Sequence, residues 1–136
     1  LLIMGQAQDR EAALLAPVAH AMTDVTGFGL AGHVHAMCQA SKLDADLFHD
    51  AIPTYPGARV LSDLGVSSTL MPANYLDAPV AGPHDALLYD PQTAGGLLAA
   101  VPEKLSTTVL QALIAQGCTG HIIGRLRKGT GCLYLS

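Results

Sequence analysis

The stretch Thr23–His33 reads TDVTGFGLAGH. Its glycines at 27, 29 and 32 follow the spacing G-x-G-x-x-G, which suits a backbone turn that approaches a phosphate closely before a helix begins. Asp24 stands three residues ahead of the first glycine. A carboxylate beside a phosphate repels it unless a cation lies between them. The same residues therefore describe either a bare dinucleotide loop or a loop built for metal and phosphate together.

Working outward, Val18–Asp24 reads as a strand, opened by Pro17, which is tolerated at a strand's first residue. Pro17 also stops a short helical pattern at Asp9–Ala16. After the turn, Leu30, Val34, Met37 and Cys38 fall at helical spacing, closed by Gln39 and Ser41. Strand, glycine turn and helix are the parts of a dinucleotide site, and Asp46 lies roughly 20 residues past Gly27, where a ribose acceptor is wanted. Against that reading, a first strand of such a site is a near-continuous apolar run, whereas this one carries His20, Thr23 and Asp24. A magnesium site accommodates them, because Mg²⁺ takes one or two carboxylates together with phosphate oxygens. The amides opening the Leu30 helix would add positive potential.

Further along, Leu43–His49 alternates apolar and acidic residues, the pattern of a half-exposed strand with Asp44, Asp46 and Asp50 on the solvated side and its exit. Thr54 and Pro56 open a helix with Val60, Leu61 and Leu64 as the buried stripe and Gly65 as the stop. Residues Val66–Pro83 show no period and read as a long loop. Ala86–Tyr89 is expected to form a helical turn ahead of a second punctuated stretch, DPQTAGG at Asp90–Gly96. Leu97–Val101 reads as a strand buried on both faces, and Pro102 and Glu103 open a helix whose apolar residues are Leu105, Val109, Ala112 and Leu113 and which Gly117 stops. His121–Leu126 and Cys132–Leu135 read as a hairpin joined by the turn at Arg127–Gly131. The expectation is one α/β (α+β) layered domain, with a mixed β-sheet covered by helices.

Composition narrows the partners. The 136 residues are half apolar and 13% charged, with net charge -4, which gives no broad basic face for nucleic acid. No apolar run approaches the roughly 20 residues of a membrane span. Leu1–Met4 is too short for a signal peptide, and a start in Leu-Leu-Ile-Met reads as a piece of something longer. Cys38, Cys118 and Cys132 stand apart and read as buried, reduced thiols of a cytoplasmic protein. His20, His33 and His35 gather near the motif, but His33 and His35 cannot face one way on a helix, so they read as satisfied histidines rather than zinc ligands. Arg125, Arg127 and Lys128 read as a solvated basic run.

TDVTGFGLAGH and DPQTAGG, in this order and separation, resemble the C-terminal domain of selenophosphate synthetase, also called selenide, water dikinase, from about Asp9 onward. The resemblance implies a fold like the C-terminal domain of aminoimidazole ribonucleotide synthetase. It also implies a reaction of ATP, selenide and water giving selenophosphate, AMP and phosphate, with Mg²⁺ and a monovalent cation such as K⁺. Asp24 matches the family's magnesium-binding Asp, and Thr26, Gly27 and Gly29 would lie near the phosphates. No catalytic residue is expected within 1–136. The family's reactive Cys or selenocysteine, its Lys and its further aspartates belong to an N-terminal ATP-binding domain with no counterpart here. Residues 1–136 would then be the C-terminal domain of a two-domain enzyme, homodimeric at full length and inactive alone. The alternative left by the residues themselves is a dinucleotide (NAD-type) binding module.

Overall fold

The computed structural model describes residues 8–136; the reading of Leu1–Met4 lies outside them. The chain forms α1 (Asp9–Leu15), β1 (Ala21–Asp24), α2 (Gly29–Ser41), β2 (Leu43–Leu47), α3 (Ala58–Asp63), α4 (Met71–Asp77), β3 (Val80–Ala81), β4 (Leu97–Ala100), α5 (Ser106–Ala115), β5 (Gly124–Lys128) and β6 (Leu133–Leu135). Short 3₁₀ turns lie at His49–Ala51, Ala86–Tyr89 and Glu103–Leu105. This is the expected mixed α/β domain.

Two sheets share the work. A mixed four-stranded sheet runs in the order β3-β6-β2-β5, with β2 antiparallel to β5 and parallel to β6. A separate antiparallel ribbon pairs β1 with β4, and α1 and α5 pack together beside it. The core lies where α2 covers the larger sheet. Ala31, Val34 and Cys38 face Ala45 and Leu47 of β2, Leu133 and Leu135 of β6, and Leu88 and Tyr89 of the second 3₁₀ turn. Helical spacing places the α2 residues on one face, and alternation places the strand residues on one side of the sheet. Lys42 ends α2 in the left-handed conformation, φ 53°, which turns the chain directly into β2.

Several expectations are corrected. Val18–His20 is not strand, because the N–H groups of Val18 and Ala19 turn back to the Leu15 carbonyl, and pairing starts only with His20 donating to Ala100. β4 is half-buried along its length and runs antiparallel in a ribbon, not doubly covered in a parallel sheet. β5 and β6 form no hairpin, because β2 lies between them. The reason is Asp44. Its Oδ1 accepts the backbone N–H groups of Thr130, Gly131 and Cys132 at 2.8, 3.1 and 2.9 Å, and its Oδ2 accepts Arg127 Nη1 at 2.9 Å. Those bonds pull the connecting loop over the end of β2, and a Cβ at Gly129 would overlap the carboxylate.

Asp44 is therefore buried rather than solvated, and the N–H groups of Thr130 and Cys132, the Gly131 N–H and the Arg127 cation hold its carboxyl below the usual range against the opposing effect of burial. Asp46 shares Arg127 with it, while Asp50 is solvated as expected. Arg125 pairs with Glu103, and Arg127 also lies over the Tyr134 ring, 4.8 Å from its centroid, so neither is free within a basic run.

The stretch Val66–Pro83 is not structureless. It holds α4, with Pro72 in the first turn where its missing N–H costs nothing, and the short β3. Val60 and Leu61 of α3 and Leu64 just past its end face outward, each residue more than half exposed. Among the cysteines only Cys38 is buried; Cys118 is half-buried and Cys132 exposed.

Candidate metal and phosphate loop

The two glycine-containing stretches meet. Val25 donates its N–H to the Gly96 carbonyl at 3.0 Å, and its own carbonyl accepts the Gly95 N–H at 3.0 Å. Thr26 continues the pairing by accepting the Gln92 N–H at 3.0 Å. β1 and β4 extend the same ladder, Asp24 standing opposite Leu97. Close approach needs Gly95, where a Cβ would overlap the Val25 carbonyl. DPQTAGG thus forms one wall of the TDVTGFG turn, and inside that wall Gln92 Nε2 bonds Asp90 Oδ2 at 3.0 Å.

Asp24 is exposed at the end of β1. Among the described residues its carboxylate pairs with no Lys, Arg or His and accepts none of the turn's amides, so it is not a turn cap. An unpaired surface carboxylate fits the contribution Mg²⁺ draws from one chain, since the ion keeps several waters and phosphate oxygens besides. Among the described residues no three His, Cys, Asp or Glu side chains converge to form a complete metal cage.

The residues of the turn divide in role. Gly27 is exposed, and a Cβ there would meet nothing within 4 Å. Its N–H and that of Phe28 are engaged by no hydrogen bond among the described residues. Gly29 is buried at φ 69°, where a Cβ would stand 2.8 Å from the Leu88 carbonyl oxygen and from Tyr89 C, so its place is dictated by packing of α2 on the 3₁₀ turn. Gly32 likewise leaves room for Phe28. Thr26 donates its N–H to His33 Nε2 at 2.9 Å, which makes His33 a satisfied histidine. His35 bonds Gln39 and His20 is exposed, so the three histidines do not converge.

Asn74 is the residue the sequence did not disclose. Buried on α4, it donates from Nδ2 to the carbonyls of Gly27 and Tyr89, both at 2.9 Å. One amide thus ties the glycine turn to the chain just ahead of DPQTAGG. Its position inside a stretch without periodicity hid it.

A second buried carboxylate lies apart from the turn. Asp85 accepts His49 Nε2 at 2.9 Å, Arg59 Nη1 at 3.1 Å and the Leu87 N–H at 3.0 Å. Burial pushes this carboxyl up, and the three donors outweigh it and hold it below the usual range. The cluster pins α3 to the second 3₁₀ turn.

The arrangement also separates the two sequence readings. A dinucleotide βαβ unit needs its first two strands parallel in one sheet. Here β1 and β2 belong to different sheets, and Asp46, the would-be ribose acceptor, pairs with Arg127.

A family model described as AIR synthase related protein, C-terminal domain, matches residues 3–132. The chain is similar to the selenide, water dikinases of Cronobacter sakazakii, 38% identical over 82% of the chain, and Shewanella baltica, 41% identical over 82%. That of Pseudomonas straminea is 34% identical over 85%. The chain spans about a third of the length of these curated relatives. Among solved structures, the hydrogenase maturation protein HypE of E. coli superposes with TM-score 0.68 over 96% of this chain and 37% of its own, at 22% identity, a likeness of fold. Among the described residues no helix is long and apolar enough to cross a membrane.

Proposed function

The chain belongs to the family described as AIR synthase related protein, C-terminal domain, and from that premise we propose that it is the C-terminal part of a selenide, water dikinase. The whole enzyme would convert ATP, selenide and water into selenophosphate, AMP and phosphate. This stretch would supply a magnesium-binding carboxylate and one wall of the phosphate site. The observation that carries the reading is Asp24, exposed and without a cation partner among the described residues, at the mouth of a turn whose shape is set by backbone bonds to the second motif. Bound there, Mg²⁺ would neutralise phosphate charge.

The chain's own residues would do the positioning. Val25 and Thr26 are fixed by Gly95, Gly96 and Gln92, so Asp24 is presented from a rigid ladder and not from a free loop. Gly27 leaves open space for close approach, and the N–H groups of Gly27 and Phe28, unengaged among the described residues, are donors suited to phosphate oxygen. Thr26 and Gly29 lie near the phosphates and shape the turn. We place no catalytic group within residues 1–136 and expect this stretch alone not to turn over. A cytoplasmic homodimer with an ATP-binding N-terminal domain, using K⁺ or a similar cation, completes the proposal.

Ligand-dependent thermal stabilisation of the full-length protein tests it. ATP with Mg²⁺ should raise the unfolding midpoint, by about 2.7 kcal/mol of stabilisation at a hundredfold excess over Kd, and NAD should not. Stabilisation by NAD and not by ATP with Mg²⁺ would overturn the proposal.

A further inference from the structure

We propose that His33 is a positioning residue for the Asp24 turn, an inference that rests on the metal-and-phosphate reading of that turn. His33 lies within α2, yet its ring reaches back over the helix start. Nε2 accepts the Thr26 backbone N–H at 2.9 Å and lies 3.2 Å from the Thr26 hydroxyl. An imidazole nitrogen that accepts carries no proton, so the ring's hydrogen belongs on Nδ1. The Phe28 ring meets the imidazole edge to face, with centroids 5.9 Å apart, and limits its swing.

Among the described residues no side-chain cap fixes the start of the helix. Phe28 occupies the N-cap position and offers no side-chain acceptor. His33 supplies an acceptor of a different kind, taking the N–H of Thr26, two residues ahead of that position. With it, both backbone groups of Thr26 are engaged, the N–H by His33 and the carbonyl by Gly29 and Gln92 at 3.1 and 3.0 Å. Both backbone groups of Val25 are held by Gly95 and Gly96. The next two N–H groups, on Gly27 and Phe28, are left unengaged among the described residues. A turn with glycines at 27 and 29 has many conformers to lose when a ligand binds, and lost conformers weaken binding. His33 removes that freedom in the folded protein before the ligand arrives.

The test compares wild type, His33→Gln and His33→Phe in the full-length polypeptide. Gln places an acceptor oxygen near the Nε2 position, whereas Phe keeps the ring and accepts nothing. In ligand-free wild type, the Thr26 N–H should exchange with solvent at least about tenfold more slowly than those of Gly27 and Phe28. Equal exchange overturns the proposal whatever the variants do. His33→Phe should speed Thr26 exchange by about tenfold and raise the KM for Mg·ATP several-fold with kcat little changed, and His33→Gln should restore both. Faster exchange with an unchanged KM overturns the proposal, because the lock would then serve the fold alone. Wild-type protein whose Thr26 is protected but which shows no affinity for Mg·ATP overturns the parent reading, a failure separate from loss of the lock.

Discussion

The backbone N–H of Gly95 donates to the carbonyl of Val25 at 3.0 Å, with no room for a Cβ between the two strands of chain. This contact joins the two motifs that the sequence shows far apart. Gly95→Ala should separate them and cost about 1–3 kcal/mol, the range for overpacking a closed site. Gly27→Ala is its counterpart, since open space surrounds that position, and it should change stability by less than about 0.5 kcal/mol. Urea unfolding of the two variants side by side checks both. Equal losses would contradict the account of which glycine is structural.

Asn74 should be as sensitive as a core residue despite being polar. Asn74→Ala removes the donor shared by the Gly27 and Tyr89 carbonyls and should cost about 1–3 kcal/mol. Asn74→Asp should be worse still, because a carboxylate would face two carbonyl oxygens. If Asn74→Asp unfolds at the same urea concentration as wild type, the amide does not hold the turn.

Acid should act on the fold through Asp44. Its carboxyl titrates below the ordinary value of about 3.9 in the folded chain, so the unfolded chain binds the proton more readily. The stability it contributes is complete above that ordinary value and is lost as pH falls through the lowered native one. Asp44→Asn should therefore melt below wild type at pH 7, and the gap should close as pH falls below about 4. Melting curves from pH 7 to pH 3 measure the gap; a gap independent of pH would remove Asp44 from the explanation.

The exposed stripe on α3 should tolerate polarity. Leu64→Gln removes little buried surface and should alter stability by less than about 0.5 kcal/mol. Leu88→Ala, in the core where the residue is 2% exposed, should cost about 2–5 kcal/mol. Thermal unfolding of both variants distinguishes the open stripe from a covered core position.

Local pattern was enough for some of this fold and silent on the rest. The apolar spacing of Leu30, Val34 and Cys38 and the stop signals around Ser41 announced α2, because helix sidedness is written within a few turns of chain. The stripe on α3 was equally periodic, yet periodicity says that a face is apolar and not that anything covers it. Lys128, Gly129 and Gly131 carry a genuine turn signal, but a hairpin was prevented by Asp44, more than 80 residues earlier, which takes the loop's N–H groups. α4 is only seven residues long with Pro72 at its start, too short to establish a period, and its Asn74 looked like a loop residue. At the site, the residue types of both motifs were readable, whereas their mutual pairing through Val25, Gly95 and Gly96 is a long-range contact with no local trace.

The most direct measurement is the rate of AMP formation from ATP in the presence of selenide and Mg²⁺, for the full-length protein and its Asp24→Asn variant. Because Asp24 is exposed and has no cation partner among the described residues, the variant should fold with an unchanged unfolding midpoint. Its magnesium-dependent turnover should fall by at least about a hundredfold, the size of effect expected when a group stabilising transition-state charge is lost. Wild-type turnover in the Asp24→Asn protein would contradict the central claim.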